Sequence, residues 1–447
     1  MTAIDLGKYQ KIVAQVARPT LQGRLLDVVG LLLEAGDCRS SVGDLYEVRS
    51  QHSRVPVQAE VVGFRGERTL LMPLGSTQGL VVGSTLHRAG DAATAAVGPG
   101  LLGRVVDSLG RPLDGKPLSN CEARVPLEGT PVNPLLRRPV EEPMWVGVRS
   151  IDSMLTMGRG QRMGIFAGGG VGKSTLLGLM VREAAAEVAV IALIGERGRE
   201  VEEFVNRTLS RAGLMRSVVI AATSSDPPLL RARGALYATA VAEYFRAQGK
   251  QVLLVMDSLT RYAMALREIG LAVGEPPATK GYTPSVFAAL PRLLERAGPC
   301  EGSGSITGIY TVLVEGDDMS DPIADSVRAI LDGHILLSRK LADRGHFPAV
   351  DIPASLSRVM PQLVSRDQMA LAHRVRELMA AYAEVEDLLA IGAYKGGTVP
   401  LFDEAILAMP ALTRVFCQGS DEPVTLGTAH RELAAALSAP AETMEGS

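Results

Sequence analysis

Between residues 163 and 338 the chain carries six short runs that are apolar almost throughout: MGIFA (163–167), VAVIALIG (188–195), SVVIAA (217–222), QVLLVMD (251–257), SITGIYTVLVEG (305–316) and HILLS (334–338). Helical segments separate them. A strand apolar at nearly every position must be covered on both faces, so this pattern predicts an α/β domain with a parallel sheet over residues 151–365. From 21 to 95 the runs are shorter and alternate, with turn residues every 8–12 positions (GDLYEVRS, VQAEVVGFRG, RTLLMPLG), which predicts a small antiparallel β-barrel. Residues 96–150 are rich in Pro and Gly and read as a linker wrapping onto the core, and 366–447 is helical in pattern, a C-terminal helical domain. At the start, 1–20 places Leu6, Tyr9, Val13 and Val16 at spacings of three and four. That amphipathic helix reads equally as packed on its own domain and as a docking helix for a partner or an anionic lipid surface.

Composition narrows the class. Of 447 residues 47% are apolar and 21% charged, enough to bury a large core. Forty-six basic against 49 acidic side chains give a net charge of −3, and aromatics make up only 4%, so a nucleic-acid coat or a base-stacking surface is disfavoured. Cys38, Cys121, Cys300 and Cys417 lie far apart without a CxxC, which points to no disulfide framework, no zinc site and a reducing cytoplasm. No apolar run approaches the 18 or so residues that span a bilayer, so membrane contact is expected to be peripheral or through a partner.

Candidate chemistry begins where MGIFA meets AGGGVGKST and an apolar helix. A glycine-rich turn between strand and helix points successive N–H groups at a phosphate, and the helix terminus adds favourable dipole potential. Gly168, Gly169, Gly170, Val171 and Gly172 form the cradle, with Ala167 at the usual first glycine. Lys173 reaches the β- and γ-phosphates, Ser174 offers its hydroxyl to Mg²⁺, and Thr175 completes the turn. A second acid for the cation is expected at a neighbouring strand end, where Asp257 closes QVLLVMD; capping of the next segment is its plainer role. Glu196 follows another strand and opens GERGREVEEF with Arg197 and Glu200. It reads as a carboxylate that activates water or as the start of a solvated, charged helix.

These stretches together, GRGQRMGIFAGGGVGKST, GERGREVEEF, VLLVMDSLTRYAMALREIGLAVGEPPATKGY and LDGHILLSRKLADRGHFPAVDIPASLSRVM, resemble the flagellar and type III secretion export ATPases, relatives of the rotary ATP synthase β subunit. The likeness runs over nearly the whole chain. It implies Mg-dependent ATP hydrolysis, with Lys173 and Ser174 on phosphate and Mg²⁺, Glu196 as the base and Asp257 as the Walker B acid. Arg197, Glu200 (on the metal through water) and Arg261 fall in the surrounding shell. Arg358 is implied as an arginine finger directed at a neighbouring subunit, and Phe347 as the ring that stacks on adenine; the opposite wall, within 412–420, is left unassigned. His346 is expected to be structural.

The resemblance further implies a homohexamer at the cytoplasmic face of the inner membrane. Its expected partners are a stator or regulator protein at the N-terminus, a stalk protein, export-gate membrane proteins, and export substrates with their chaperones; nucleic acid is not among them. The segment AIGAYKGGTVPLFDEAI lacks the strongly acidic loop expected of a synthase β subunit, and the β-rich head lacks the basic, aromatic character expected of a hexameric RNA helicase. ATKGYTPSVF and PLLRARGALYAT favour a flagellar system over a virulence injectisome, which is the alternative.

Overall fold

The computed structural model describes residues 23–52, 55–91, 94–121, 123–129, 133–314, 319–422, 424 and 427–438, so the amphipathic segment expected at 1–20 lies outside the described residues. The chain divides into two compact units: residues up to Thr94 with Glu268–Pro276, and Ala95–Arg267 with Pro277 onward.

In the first unit β1 (Gly23–Val29), β2 (Leu32–Gly36), β3 (Asp44–Arg49), β4 (Val57–Arg65), β5 (Arg68–Pro73) and β6 (Thr85–Asp91) close into an antiparallel barrel, ordered β1-β2-β5-β4-β3-β6. Alternation builds it: Tyr46 and Val48 of β3 turn inward to meet Leu25, Leu33, Val61, Leu71 and Leu86. Closure leaves no open strand edge. The buried carboxylate of Glu34 is met by Arg65 at 3.0 Å and Arg68 at 2.6 Å, which offsets its desolvation.

Among the described residues the second unit is built on a nine-stranded sheet, in which Gly298–Pro299 pairs antiparallel with β12 and the other eight strands lie on one path: β7 (Arg104–Asp107), β8 (Arg162–Ala167), β9 (Val188–Glu196), β10 (Ser217–Thr223), β11 (Gln251–Asp257), β12 (Ser305–Leu313), β13 (Gly333–Leu337) and β14 (Val350–Ser357). Their order is β14-β13-β8-β12-β11-β9-β10-β7, all parallel except β14. The central strands β9, β11 and β12 are buried at every position but one terminal residue each, as continuous apolar runs require. Helices α1 (Arg149–Met154), α2 (Lys173–Glu183), α3 (Gly198–Glu203), α4 (Pro228–Ala247) and α5 (Leu259–Val273) belong to this region, α5 running on into the first unit. They are followed by α6 (Arg366–Ala390), α7 (Pro400–Phe416) and α8 (Thr428–Ser438).

Two strands depart from the sequence expectation. The Pro/Gly-rich stretch read as a linker supplies β7 as an edge strand; its four residues are too few for a periodic signal, and only Val106 is fully buried. The sheet is also not wholly parallel: β14 turns back along β13, half exposed and carrying Pro353, as suits an edge.

The C-terminal end of α2 is held by Arg216. Its guanidinium donates to the carbonyls of Val181 (2.6 Å), Arg182 (2.7 Å), Ala184 (3.1 Å) and Ala186 (2.7 Å). A cation there meets carbonyls that the helix leaves unpaired and complements its dipole. No helix among the described residues is long and apolar enough to cross a membrane.

Candidate active site

Strand register brings the candidate residues to one edge of the sheet. Leu193 of β9 pairs with Asp257 of β11, Met256 with Tyr310 of β12, and Phe166 of β8 with Val312. The loop after β8, Glu196, Asp257 and Thr311 therefore gather at the carboxyl ends of parallel strands, where open α/β sheets bind ligands.

The loop itself is built for an anion. Gly170 (φ 78°) and Gly172 (φ 86°) adopt the left-handed backbone that side chains disfavour, and Val171 anchors the turn with 1% exposure. A Cβ added to Gly169 or Gly170 would meet nothing within 4 Å, so the outer face of the loop is open. Gly172 caps α2 without any side-chain hydrogen bond, which leaves the first-turn N–H groups to a ligand. Ser174 and Thr175 are exposed in that turn. Arg339 Nη2 donates to the carbonyl of Gly169 at 3.0 Å and steadies the loop from outside.

Lys173 stands between two acids. Its Nζ is 2.5 Å from Asp257 Oδ1 and 3.7 Å from Glu196 Oε1. Asp257 is 3% exposed, and the same Oδ1 accepts from the Thr311 hydroxyl at 2.7 Å. Burial is the main force pushing the Glu196 carboxyl up to about 7; a hydrogen bond shared with Glu200 and the charge of Asp257 add to it, against the pull of Lys173. Glu200, accepting that hydrogen bond, is held below the ordinary carboxylate range. Near neutrality the pair thus shares a proton. Arg197 caps α3, its N–H donating to Glu200 Oε2 at 3.4 Å while its side chain is 83% exposed. Arg261 of α5 lies across Gly195, where an added Cβ would approach its side chain to 2.8 Å. Its Nε is buried with no hydrogen-bond partner among the described residues, as fits a group awaiting an anion.

The donors present suit Mg²⁺. Ser174 offers a hydroxyl, and Asp257 and Glu200 offer carboxylates, all hard oxygen ligands. Among the described residues no group of three or more His, Cys, Asp or Glu could hold a metal ion alone, so a cation here would complete its shell with phosphate oxygens and water.

Phe347 is 43% exposed, and a Cβ on Gly172 would lie 3.3 Å from its ring, so the ring stands against the end of the phosphate loop. Its carbonyl accepts from the N–H of Gln418 at 2.8 Å, which brings 417–418 up beside it. His346 contacts Cys417 (Nδ1 to Sγ, 3.3 Å), and burial lowers its imidazole below the ordinary value.

Arg358 is elsewhere. Val350 of β14 pairs with Leu337 at the loop end of β13, whereas Ser357 pairs with Gly333 at the other end. Because β13 runs parallel to β8, Arg358 emerges at the sheet edge opposite its own phosphate loop. Its side chain is exposed, with Nη2 3.5 Å from the carbonyl of Arg328.

Known proteins place this arrangement. Residues 147–357 match the nucleotide-binding domain of the ATP synthase alpha/beta family, and 26–90 match that family's beta-barrel domain. Residues 364–435 match the T3SS EscN ATPase C-terminal domain. The flagellum-specific ATP synthase of Pseudomonas aeruginosa is 52% identical over 432 residues, 96% of both chains. The chain belongs to the type III export ATPases. The type 3 secretion system ATPase of Xanthomonas euvesicatoria is 50% identical to this export ATPase over 400 residues, 90% of each. The assembled ATPase EscN of enteropathogenic E. coli superposes with a TM-score of 0.88 at 43% identity, covering 93% of this chain and 100% of that one. The protein is an ATPase with a nucleotide-binding α/β core, a six-stranded barrel and C-terminal helices.

Thr311, Arg339 and Gln418 escaped sequence reasoning. Thr311 is one polar position inside an apolar strand, Arg339 one of two adjacent bases, and Gln418 follows a helix end without a motif. Only the register of β11 and β12 could have pointed to Thr311.

Proposed function

We propose that this export ATPase couples ATP hydrolysis to protein export by a flagellar type III apparatus, working as a homohexamer with sites completed across subunit boundaries. The observation that carries the reading is the position of Lys173 between Asp257 and Glu196 at the mouth of the phosphate loop. An ammonium there can be handed from the two carboxylates to the β- and γ-phosphates when nucleotide enters.

In this reading the N–H groups from Gly168 to Thr175 hold the phosphates, and Phe347 stacks on the adenine. Ser174 and Asp257 would hold Mg²⁺, with Glu200 reaching it through water, and the bound ion would supply charge neutralisation to the phosphates. Glu196 takes a proton from the attacking water as its oxygen bonds to the γ-phosphorus. The bond to the β-bridging oxygen breaks, giving ADP and phosphate. A base near neutrality is well matched to that task, and burial supplies the match. Arg197 and Arg261 line the polar surroundings. Arg358, on the far edge of its own sheet, is suited to serve a neighbour's γ-phosphate.

Relatives named flagellum-specific ATP synthase reach 50–53% identity in Pseudomonas aeruginosa, Bacillus subtilis and Salmonella typhimurium, which supports the flagellar assignment. A virulence injectisome is the second reading, favoured by the 50% identity to the Xanthomonas secretion ATPase. The related EscN forms a complex with its central stalk EscO, and a stalk partner is proposed here on that likeness. A stator at residues 1–20, export-gate membrane proteins, substrates and chaperones complete the partners of a cytoplasmic enzyme peripheral to the inner membrane; nucleic acid has no place among them.

Glu196→Gln tests the chemistry, since it keeps shape and loses basicity. Tight ATP binding with hydrolysis reduced at least a hundredfold is expected; turnover near the parental rate would overturn the assignment. A deletion strain that cannot swim but still secretes effectors supports the flagellar reading, and the converse supports the injectisome.

A further inference from the structure

Beside Phe347, stretches distant in sequence meet at one residue, Gln418, which holds 147–149 through its side chain and Phe347 through its main-chain N–H. Gln418 is 6% exposed, and both polar groups of its side chain have partners. Its Oε1 accepts from the N–H of Arg149 (2.9 Å), and its Nε2 donates to the carbonyls of Gly147 (2.8 Å) and Glu422 (3.0 Å). Its own N–H holds the Phe347 carbonyl at 2.8 Å. Both ends of this tie are themselves fixed. Asp152 accepts from the N–H groups of Val146 and Gly147, each at 2.9 Å. Arg149 donates to the Cys417 carbonyl at 3.3 Å, pairs with Glu422, and reaches Glu432 of α8 at 2.7 Å.

From this we infer that Gln418 is a positioning residue for the nucleotide base: it sets the distance between the Phe347 ring and the phosphate loop and links that wall to the C-terminal helices. The inference rests on the reading of Phe347 as the base-stacking ring. The ring stands against Gly172, so displacement of 417–418 carries the Phe347 carbonyl, and the ring with it, away from the line the phosphates define. A buried amide held by three partners resists such displacement, because freeing any one leaves a polar group unpaired. The hydrogen bonds of Gln418 run to Arg149, Gly147, Glu422 and Phe347 and not to the phosphate loop, so its influence should fall on the base.

The test compares ATP with inorganic tripolyphosphate, which carries the phosphates without a base. Gln418→Met keeps the length of the side chain and removes its hydrogen bonds; Gln418→Glu keeps the acceptor toward Arg149 and removes both donors, and serves if the first variant does not accumulate. Expected for either is a KM for ATP raised about tenfold, a loss within the range of one base–aromatic stack, with kcat within about twofold. Inhibition by Mg-tripolyphosphate should keep its parental constant. Equal weakening of ATP and tripolyphosphate would make Gln418 a general structural residue, and an unchanged KM would remove it from the base site; either overturns the proposal. Phe347→Ala separates the two levels. If it leaves KM unchanged, the base-site reading fails and the proposal falls with it. If it raises KM while both Gln418 variants do not, the proposal about Gln418 alone fails.

Discussion

Replacing Glu200 with Gln should shift the pH dependence of ATP hydrolysis in a calculable direction. In the proposed mechanism Glu196 must be ionised to accept the proton of water, and its carboxyl stands at about 7 chiefly because it is buried, with the hydrogen bond to Glu200 next and the charge of Asp257 after it. With that value the ionised fraction is about one tenth at pH 6 and about nine tenths at pH 8, so kcat/KM should rise about tenfold across this interval. An ordinary carboxylate would have finished titrating well below it. Glu200→Gln replaces the charged acceptor that favours protonated Glu196 with a neutral amide, whose N–H can donate to the ionised form. The acid limb should therefore move down by about one pH unit, over a lower plateau because Glu200 also serves the proposed Mg²⁺ shell. Stability follows with its own sign. The folded carboxyl binds its proton more tightly than the unfolded one, so this group's contribution is complete below the unfolded value and is lost as pH rises through about 7. The assay is kcat/KM at constant ionic strength across both limbs. A parental profile flat between pH 6 and 8, or a Glu200→Gln limb coincident with the parental one, would refute the coupling.

Arg216→Ala should lower stability by about 2–4 kcal/mol, since hydrogen bonds to a charged group are worth ~1.5–3 each, do not add, and are partly replaced by water at this half-exposed site. A thermal melt should read it as a fall of several degrees, and Arg216→Lys should recover little because one ammonium cannot reach all four carbonyls. Thr311→Val removes the hydroxyl that shares Asp257 Oδ1 with Lys173, leaving the ammonium to compensate that carboxylate alone. Turnover should fall about tenfold with ATP binding retained, and Thr311→Ser should restore it.

What the sequence disclosed about the site depended on whether the relevant residues are contiguous. The phosphate loop is one uninterrupted stretch from strand to helix, and Asp257 and Glu196 close largely apolar strands, a position that marks them as candidates beside the loop although capping or a charged helix start would read alike. Thr311 is hidden because it is one of four hydroxyl side chains in SITGIYTVL, and only pairing with β11 sets it apart from Ser305, Thr307 and Tyr310. Gln418 is defined by Gly147 and Arg149, about 270 positions earlier, a separation no local pattern crosses. The barrel was legible from alternation and the central sheet from unbroken apolar runs. The edge strands were not, because β7 is four residues long and β14 alternates around Pro353. The reversal of β14 also gives Arg358 its meaning. A parallel strand would have ended at the phosphate-loop edge; the antiparallel one delivers its last residues to the opposite edge.

The central claim, catalysis completed between subunits, is tested most directly by mixing two inactive proteins. Lys173→Ala lacks the phosphate clamp but keeps Arg358, and Arg358→Ala keeps the clamp but lacks the finger. Each alone should turn over ATP far more slowly, with the Arg358→Ala loss approaching ~10³-fold while ATP binding stays near normal. In mixed hexamers the loop of an Arg358→Ala subunit faces the Arg358 of a Lys173→Ala neighbour. Hydrolysis should therefore reappear on mixing and rise with protein concentration as assemblies form. Co-assembly of the two variants, shown by differential tags, with no return of activity would contradict a finger acting between subunits, as would full activity of Arg358→Ala by itself.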